Sequence, residues 1–310
     1  MTQLQPDSAI QPEVQPTKGK LRGRSTPLRS QYKTGVWWRH LFAMCALAFA
    51  LFPIVFIVSS AFNNAGTLST AGLWPSSPGV RNFEKLFNDP IRPYWTWMRN
   101  SILICGLGAI FTVFLGATAA YAFSRLRWQG RRAGLLAILF VQMFPAILGF
   151  AAIYLTFARV GELFPGIGLN TLSGLILVYL GGAMGANIWL LKGYFDTVPR
   201  ELDEAARVDG ASHARIFFTL TLRLVSPILA TVGMLAFVGL WGEFLLASIF
   251  LTNVDSQTLA VGLWQTRNAD QDRLFGQFVA GALIASAPVV ILYLALQRQL
   301  IGGLTQGSVK

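Results

Sequence analysis

Few residues in this sequence have the types and spacing that catalysis, metal binding or nucleotide binding requires. The two histidines, His40 and His213, lie far apart and outside any cluster of acids, so no metal site or acid–base pair is predicted. The two cysteines, Cys45 and Cys105, fall inside apolar runs and lack the loop-borne spacing of disulfides or zinc ligands. The sequence contains no Gly-x-x-x-x-Gly-Lys-Ser/Thr motif to cradle nucleotide phosphates. We therefore expect no catalytic residue, no metal and no bound cofactor on this chain.

Glu243 is the one charged residue that falls well inside a long apolar run. An isolated charge near the centre of a bilayer costs at least about 2.5 to 3.5 kcal/mol on insertion scales, so we expect its side chain to face protein or water. Three roles stay open: a hydroxyl acceptor in a solute path, a polar contact to another membrane subunit, and a structural hydrogen bond near the outer surface. Gly239 and Ala247 would share its helix face and leave room for a partner.

The segment from Val198 to Gly210 has the pattern of a short helix with a defined end. Pro199 suits the first helical position, acids fill the first turn, and Gly210 suits a left-handed stop. A second helix is predicted from Ala211 through Leu222. Its expected cap is Ser212, and its apolar stripe consists of Ile216, Phe217 and Leu220.

The elements that must position these residues are membrane helices. Of the 310 residues, 54% are hydrophobic and only 13% are charged, against roughly 25% charged in a soluble domain. Gly and Pro inside the long apolar runs are expected to allow close packing and kinks rather than to end a helix. The sequence therefore predicts an all-α integral membrane protein with six transmembrane helices, since each run can cross about 30 Å of hydrocarbon. The runs are Leu41 to Phe62, Ser101 to Phe123, Ala133 to Phe157, Thr171 to Leu191, Val225 to Leu251 and Gln277 to Leu296.

The positive charges indicate topology rather than nucleic-acid binding. The formal net charge is +11, but the Lys and Arg residues are scattered at the ends of apolar runs instead of forming one patch. Of these 25 residues, 18 fall in the two tails and in the second and fourth connections. Because Lys and Arg concentrate on the cytoplasmic side, we expect both termini and the fourth connection to be cytoplasmic.

The chain is expected to divide into four parts. Residues 1–36 form a basic cytoplasmic tail whose composition predicts disorder. Residues 37–98 hold the first transmembrane helix and an outer loop. Residues 99–300 form a five-helix permease core that contains the cytoplasmic connection 192–224, and residues 301–310 form a cytoplasmic C-terminal tail.

At the fourth connection the residues resemble a family. Glu204-Ala-Ala-Arg-Val-Asp-Gly-Ala211, followed by Phe217 and Ser226-Pro227, resembles the EAA motif of ABC importer permeases. Arg223 departs from that motif, which usually has a proline there, so a straighter start of the fifth span is expected. The resemblance implies a coupling helix that docks on a separate ATPase subunit. The implied coupling residues are Glu204, Ala205, Ala206, Asp209 and Gly210.

Further stretches resemble the maltose/maltodextrin branch of that family. They include Gln142-Met-Phe-Pro145, Thr258-Leu-Ala-Val-Gly262 and the C-terminal end from Gly302. The resemblance implies that the outer loop between the last two spans, 252–276, contacts a sugar-binding protein; a solvated connector is the alternative. It also implies that the C-terminal tail lies between two ATPase subunits, with a frayed end as the alternative. The residues assigned on this basis are Asn253, Asp255 and Gln257 for the binding protein, and Gln306, Gly307 and Ser308 for the ATPase.

The predicted function is therefore that of the permease subunit of an ATP-driven importer in the bacterial cytoplasmic membrane. The cargo implied by the resemblance is maltose, maltodextrin or a related α-glucoside such as trehalose. The implied partners are a second permease subunit, two copies of an ATPase that bind ATP and Mg, an extracytoplasmic sugar-binding protein and membrane lipid. Together with Glu243, Gln142 and Pro145 are candidates for the translocation path or a subunit contact. The alternative is an ion-coupled secondary transporter.

Overall fold

The computed structural model describes residues 37–305, apart from the side chains of residues 183, 184, 186 and 300–305. The predicted N-terminal tail, 1–36, and the predicted ATPase contacts Gln306, Gly307 and Ser308 lie outside the described residues. Within the described range the chain is helical and contains no β-strand, which confirms the all-α prediction. The helices are α1 (Trp37–Ala61), α2 (Arg81–Phe87), α3 (Tyr94–Arg125), α4 (Arg131–Met143), α5 (Ala146–Leu163), α6 (Leu172–Thr197), α7 (Arg200–Val208), α8 (His213–Ile216), α9 (Leu222–Leu224), α10 (Ser226–Trp241), α11 (Leu245–Phe250), α12 (Leu259–Ala269) and α13 (Phe275–Thr305).

The described helices give between four and six candidate membrane crossings, where the sequence predicts six. Four of them, α1, α3, α5 and α13, are each long and apolar enough to span a bilayer. Two bent pairs of helical segments bring the number to six when each pair is counted as one span. They are Leu172–Gly182 with Asn187–Thr197, bent by 58°, and His213–Leu224 with Ser226–Trp241, bent by 79°.

Two of the predicted spans are interrupted, contrary to expectation. The run Ala133 to Phe157 breaks around Pro145, where the chain adopts an extended conformation between α4 and α5. A proline lacks the backbone N–H that would continue the helix, and here its neighbours do not restore the ladder. The run Val225 to Leu251 breaks after Trp241, so α10 and α11 are separate helices. At Pro53 and Pro288, by contrast, the helix continues through the proline as expected.

The chain divides after Leu51 into two units. In the first unit, the described residues are the first part of α1, and all of their side chains are exposed. The second unit is built around α3, which packs along α6 and α10. Its core near the end of α3 contains Tyr121 of α3, Phe195 of α6 and Phe217, and this cluster supports the segment that holds the EAA-like residues.

Candidate functional site

The EAA-like residues form α7, a short helix whose ends match the sequence signals. Pro199 immediately precedes the helix, and Glu201 and Asp203 place negative charge in its first turn. The chain then turns at Gly210, which has a φ of 79°, in the left-handed region. The Gly210 amide donates to the Arg207 carbonyl at 2.9 Å, which closes the helix end. The predicted helix and its glycine stop are confirmed.

The second predicted helix also forms. Ser212 caps α8, because its hydroxyl accepts a hydrogen bond from the Arg215 amide at 3.3 Å. The helical path continues through a π-helical turn, Phe217–Thr221, and α9 as far as Leu224. The chain then bends by 79° into α10. The expected straight passage at Arg223 is therefore wrong: Val225 ends the helix and Pro227 opens the next one, so no second proline is needed for the bend.

One face of α7 is free for a partner. Glu204, Ala205, Asp209 and Gly210 are exposed, and Ala206 is half-buried. The two alanines leave little side chain between the helix backbone and anything that docks on it. This surface therefore offers the carboxylates of Glu204 and Asp209 and a closely approachable backbone, which are suited to a cleft with a cationic side chain.

The opposite face of α7 is fixed to the membrane bundle by a buried ion pair. Asp203 lies 2.8 Å from Nε of Arg125, the last residue of α3, and the two side chains are only 2% and 3% exposed. Nη2 of Arg125 also donates to the Val198 carbonyl at 2.7 Å. The sequence predicts a topology charge at Arg125 and a first-turn acid at Asp203, and no local signal indicates that the two pair across 78 positions.

Two neighbouring contacts extend this junction. The Ser124 hydroxyl donates to the Asp196 carboxylate at 2.6 Å, which connects α3 with the end of α6. The Tyr121 hydroxyl donates to the His213 carbonyl at 3.5 Å, at the start of α8. A polar cavity of about 830 Å³ lies beside α7; its lining includes Arg127, Arg200 and Glu204. His213 thus supplies a backbone acceptor to this junction.

Glu243 does not lie inside a continuous helix; it lies in the break between α10 and α11. Its carboxylate accepts hydrogen bonds from the Tyr179 hydroxyl at 2.5 Å and from the backbone amides of Leu246 at 2.8 Å and Ala247 at 3.0 Å. The expected helix face shared with Gly239 and Ala247 is therefore wrong. Of the three open roles, this geometry favours the structural hydrogen bond, because the carboxylate caps α11 and joins it to α6.

Gln142 lies near the end of α4, and Pro145 immediately precedes α5. Gln142 and Tyr179 both line a cavity of about 890 Å³ between α4, α5 and α6. Gln142 packs so closely against Gly185 that a Cβ at that glycine would overlap the Gln142 side chain. Pro145 is not part of the lining, but it sets the turn from α4 into α5 beside the cavity.

The predicted outer loop 252–276 contains a helix. Its residues Leu259–Ala269 form α12, in which Leu259, Val261 and Leu263 are buried. Before this helix, Asn253 and Asp255 are exposed, whereas Gln257 is only 1% exposed. The assignment of Gln257 to a partner contact is therefore wrong for its side chain. The apolar positions of α12 had been overlooked in a loop assigned by its polar residues.

The start of α3 holds residues 253–259 of this predicted outer loop, called the outer segment below, in place. The Trp97 indole donates to the Val254 carbonyl at 2.8 Å. The Asn100 amide donates to the carbonyls of Asp255 at 2.9 Å and Gln257 at 3.0 Å. The backbone of the segment is thus bound to α3, while the side chains of Asn253 and Asp255 point to the exposed surface.

Comparison with known proteins assigns the chain to a family. Residues 112–305 match the family described as "Binding-protein-dependent transport system inner membrane component". The maltose/maltodextrin transport system permease protein MalG of Vibrio vulnificus strain YJ016 is 40% identical over 289 residues, which are 90% of this chain and 97% of the relative. MalG of Escherichia coli strain K12 is 38% identical over the same shares.

Two solved structures share the fold. One is a bacterial ABC transporter involved in the import of the acidic polysaccharide alginate, with a TM-score of 0.73 and 24% identity over 88% of this chain and 98% of that one. The other is a bacterial alginate ABC transporter in complex with an alginate pentasaccharide-bound periplasmic protein. It has a TM-score of 0.60 and 15% identity, and the match covers 84% of this chain and 93% of that chain. With its helical fold, its EAA-like segment and these relatives, this chain belongs to the family of inner membrane components of binding-protein-dependent transport systems.

Proposed function

We propose that this chain is the membrane-spanning permease subunit of an ATP-driven importer of maltose, maltodextrin or a related α-glucoside such as trehalose. The observation that carries the proposal is the exposed face of α7. This helix is followed by the left-handed Gly210, and Asp203 on its opposite face pairs with Arg125 of α3. The MalG relatives, which match over nearly their whole length, supply the sugar class. Family membership argues against the ion-coupled secondary transporter.

The proposed coupling residues are Glu204, Ala205, Ala206, Asp209 and Gly210. In this arrangement a separate ATPase subunit, present in two copies, binds ATP and Mg and docks on the exposed face of α7. A conformational change in the ATPase would move α7 and with it the membrane helices. A second permease subunit completes the translocation pathway, and rocking of the two subunits exposes the sugar first to the outside and then to the cytoplasm.

The proposed sugar path includes the cavity between α4, α5 and α6. Gln142 offers an amide there that can donate to and accept from sugar hydroxyls, and the Tyr179 ring gives an apolar surface. Glu243 contributes indirectly, because its hydrogen bond orients Tyr179. Pro145 shapes the α4–α5 turn that borders the cavity.

The proposed outer contact is made by Asn253 and Asp255, which are exposed on the segment held by α3. A wet, polar surface of this kind suits a transient contact with an extracytoplasmic sugar-binding protein. In the proposed orientation α7 and both termini lie on the cytoplasmic side, where the C-terminal residues Gln306, Gly307 and Ser308 would meet the ATPase.

Transport by the reconstituted complex tests this proposal. The chain is co-purified with its partner permease and ATPase in proteoliposomes, and uptake of labelled maltose and trehalose is measured with and without binding protein. We expect uptake to require both ATP and the binding protein and to be abolished by vanadate. Uptake that proceeds without ATP and collapses when an ion gradient is dissipated would favour the secondary transporter.

A further inference from the structure

The two segments proposed to contact partners are attached to opposite ends of a single helix, α3. At its end, Arg125 binds Asp203 of α7 and the Val198 carbonyl. Near its start, Trp97 and Asn100 bind the backbone of the outer segment. At 1.5 Å per residue, the 32 residues of α3 extend about 48 Å, enough to cross the membrane.

From this arrangement we infer that Arg125 is a positioning residue for transport: its ion pair with Asp203 makes α3 the helix that receives the movement of α7 and passes it to the outer segment. The inference rests on the proposed coupling function and goes beyond it, because it names the route into the membrane. The alternative routes are the covalent connections of α7 to α6 and to α8.

The burial of α7 favours the route through Arg125. Asp203 is the one buried side chain among the nine residues of this helix, and Val208, near its end, is 89% exposed. Little apolar packing therefore ties α7 to the bundle. A force applied to the exposed face reaches α3 through the ion pair and through the bond that Arg200 Nη2 donates to the Ser124 carbonyl at 3.5 Å, besides the two flanking turns. The ion pair is the shorter of the two direct contacts, and both of its side chains are buried.

The energetics of buried ion pairs favour a positioning role over a stabilising one. A buried pair seldom adds stability compared with apolar residues of similar size, because removing two charges from water offsets their attraction. Removing only one partner is costly, because the other charge is left buried. An arginine that reaches Asp203 with Nε and Val198 with Nη2 at the same time fixes α7 in both position and orientation, as a single apolar contact would not.

The opposite end of α3 is hydrogen-bonded to the outer segment, so a movement of α3 can reach that segment. Besides the bonds from Trp97 and Asn100, the Leu259 amide donates to the Ser101 hydroxyl at 2.7 Å, so three residues of one helical turn hold the outer segment. A displacement of α3 must therefore move or release the segment that carries Asn253 and Asp255. This predicts that trapping nucleotide on the ATPase changes the hydrogen exchange of the outer segment only while Arg125 is present.

The test compares Arg125→Gln with Arg132→Gln in the assembled transporter. Arg132 is the matched control, since it lies seven residues further on in α4, is exposed, does not line the cavity beside α7, and forms no ion pair among the described residues. Two quantities are measured in nanodiscs or proteoliposomes: ATP hydrolysed per maltose imported, and hydrogen exchange of the amides from 254 to 259 when vanadate traps the nucleotide. For Arg125→Gln we expect at least about a tenfold rise in ATP consumed per sugar, within the range of typical coupling effects, and loss of the nucleotide-dependent change in exchange.

A double variant keeps the test decisive if Arg125→Gln does not assemble. Arg125→Met with Asp203→Leu replaces the pair by apolar groups, which should restore assembly but not coupling. Normal coupling and a normal exchange response in either variant overturn the inference. Glu204→Lys is measured alongside: if it loses the ATPase while Arg125→Gln behaves like Arg132→Gln, the route is wrong and the proposed coupling function stands. If Glu204→Lys is also normal, the coupling function itself fails.

Discussion

Tyr179 and Glu243 join α6 to the break between α10 and α11 through a hydrogen bond of 2.5 Å. The same carboxylate accepts two backbone amides of α11, so three donors depend on one side chain. Tyr179 is buried and also borders the cavity that contains Gln142. A charge inside an apolar run is thus satisfied by internal hydrogen bonds, and the carboxylate holds the tyrosine beside that cavity.

This geometry predicts a graded series at Glu243. Glu243→Ala leaves two amides and a buried hydroxyl without their acceptor, at a cost of about 1–3 kcal/mol for each group that stays dry. Glu243→Gln keeps one acceptor oxygen and should destabilise the complex less than Glu243→Ala. Tyr179→Phe, which removes only one of the three donors, should destabilise it least. The measurements are the thermal unfolding midpoint of the assembled complex and maltose uptake. Unchanged stability and uptake in Glu243→Ala would mean that the carboxylate is merely tolerated.

Two substitutions distinguish a residue that contacts the binding protein from a residue that holds the outer segment in place. Asp255→Arg reverses an exposed charge and should weaken binding-protein affinity by about tenfold without lowering stability. Asn100→Leu removes two hydrogen bonds to the segment and should lower the unfolding midpoint. Gln129→Arg, in an exposed turn between α3 and α4, is the control and should change neither quantity. Equal affinities for Asp255→Arg and wild type would remove this segment from the interface.

The proposed orientation predicts which positions an impermeant thiol reagent can reach. Cys45 and Cys105 are first replaced, and single cysteines are placed at Gln129, Ala211, Ser76 and Asn253. In intact cells with a permeable outer barrier, the last two should react and the first two should be protected until the membrane is opened. Labelling of the cysteine at Ala211 from outside would reverse the topology.

Local signals were sufficient for the elements that sequence analysis described correctly. The helix α7, its stop at Gly210 and the cap at Ser212 are each decided by a few adjacent residues. Apolar length likewise predicted six spans, and the described residues contain four to six candidates. These features depend on local backbone conformation and on burial in lipid, and the residues of one segment determine both without contacts to distant segments.

The features that were missed depend on contacts between distant segments. The pairing of Arg125 with Asp203 joins residues 78 positions apart, and neither residue type reveals it. The burial of Gln257 follows from the backbone bonds that Asn100 makes to its segment. Pro145 ends a helix although Pro53 and Pro288 do not, because the outcome depends on what surrounds each proline.

Charge on the exposed face of α7 should control assembly with the ATPase. Glu204→Lys should place like charge against a cationic cleft, which costs several kcal/mol in comparable interfaces, and leave the membrane spans intact. The measurement is the amount of ATPase that co-purifies with the tagged permease pair. Glu162→Lys changes another exposed acid, on α5, and should retain the ATPase. Equal recovery of ATPase with the two variants would contradict the role of Glu204.

The most direct test of the central claim concerns the backbone at Gly210. Its φ of 79° disfavours side chains, and no described atom lies within 4 Å of a Cβ built there, so a substitution acts through backbone conformation rather than through a clash. Asparagine tolerates the left-handed region, whereas a β-branched residue does not. Gly210→Asn should therefore retain transport, and Gly210→Val should re-aim α7.

The decisive measurement is ATP-dependent maltose uptake in proteoliposomes that contain equal amounts of each assembled permease variant. The account predicts that Gly210→Val assembles with the second permease but imports at less than about a tenth of the wild-type rate, consistent with a cost above roughly 1–2 kcal/mol for a left-handed L-residue. Gly210→Asn should import near the wild-type rate. Normal uptake with Gly210→Val would contradict the assignment of α7 as the coupling helix.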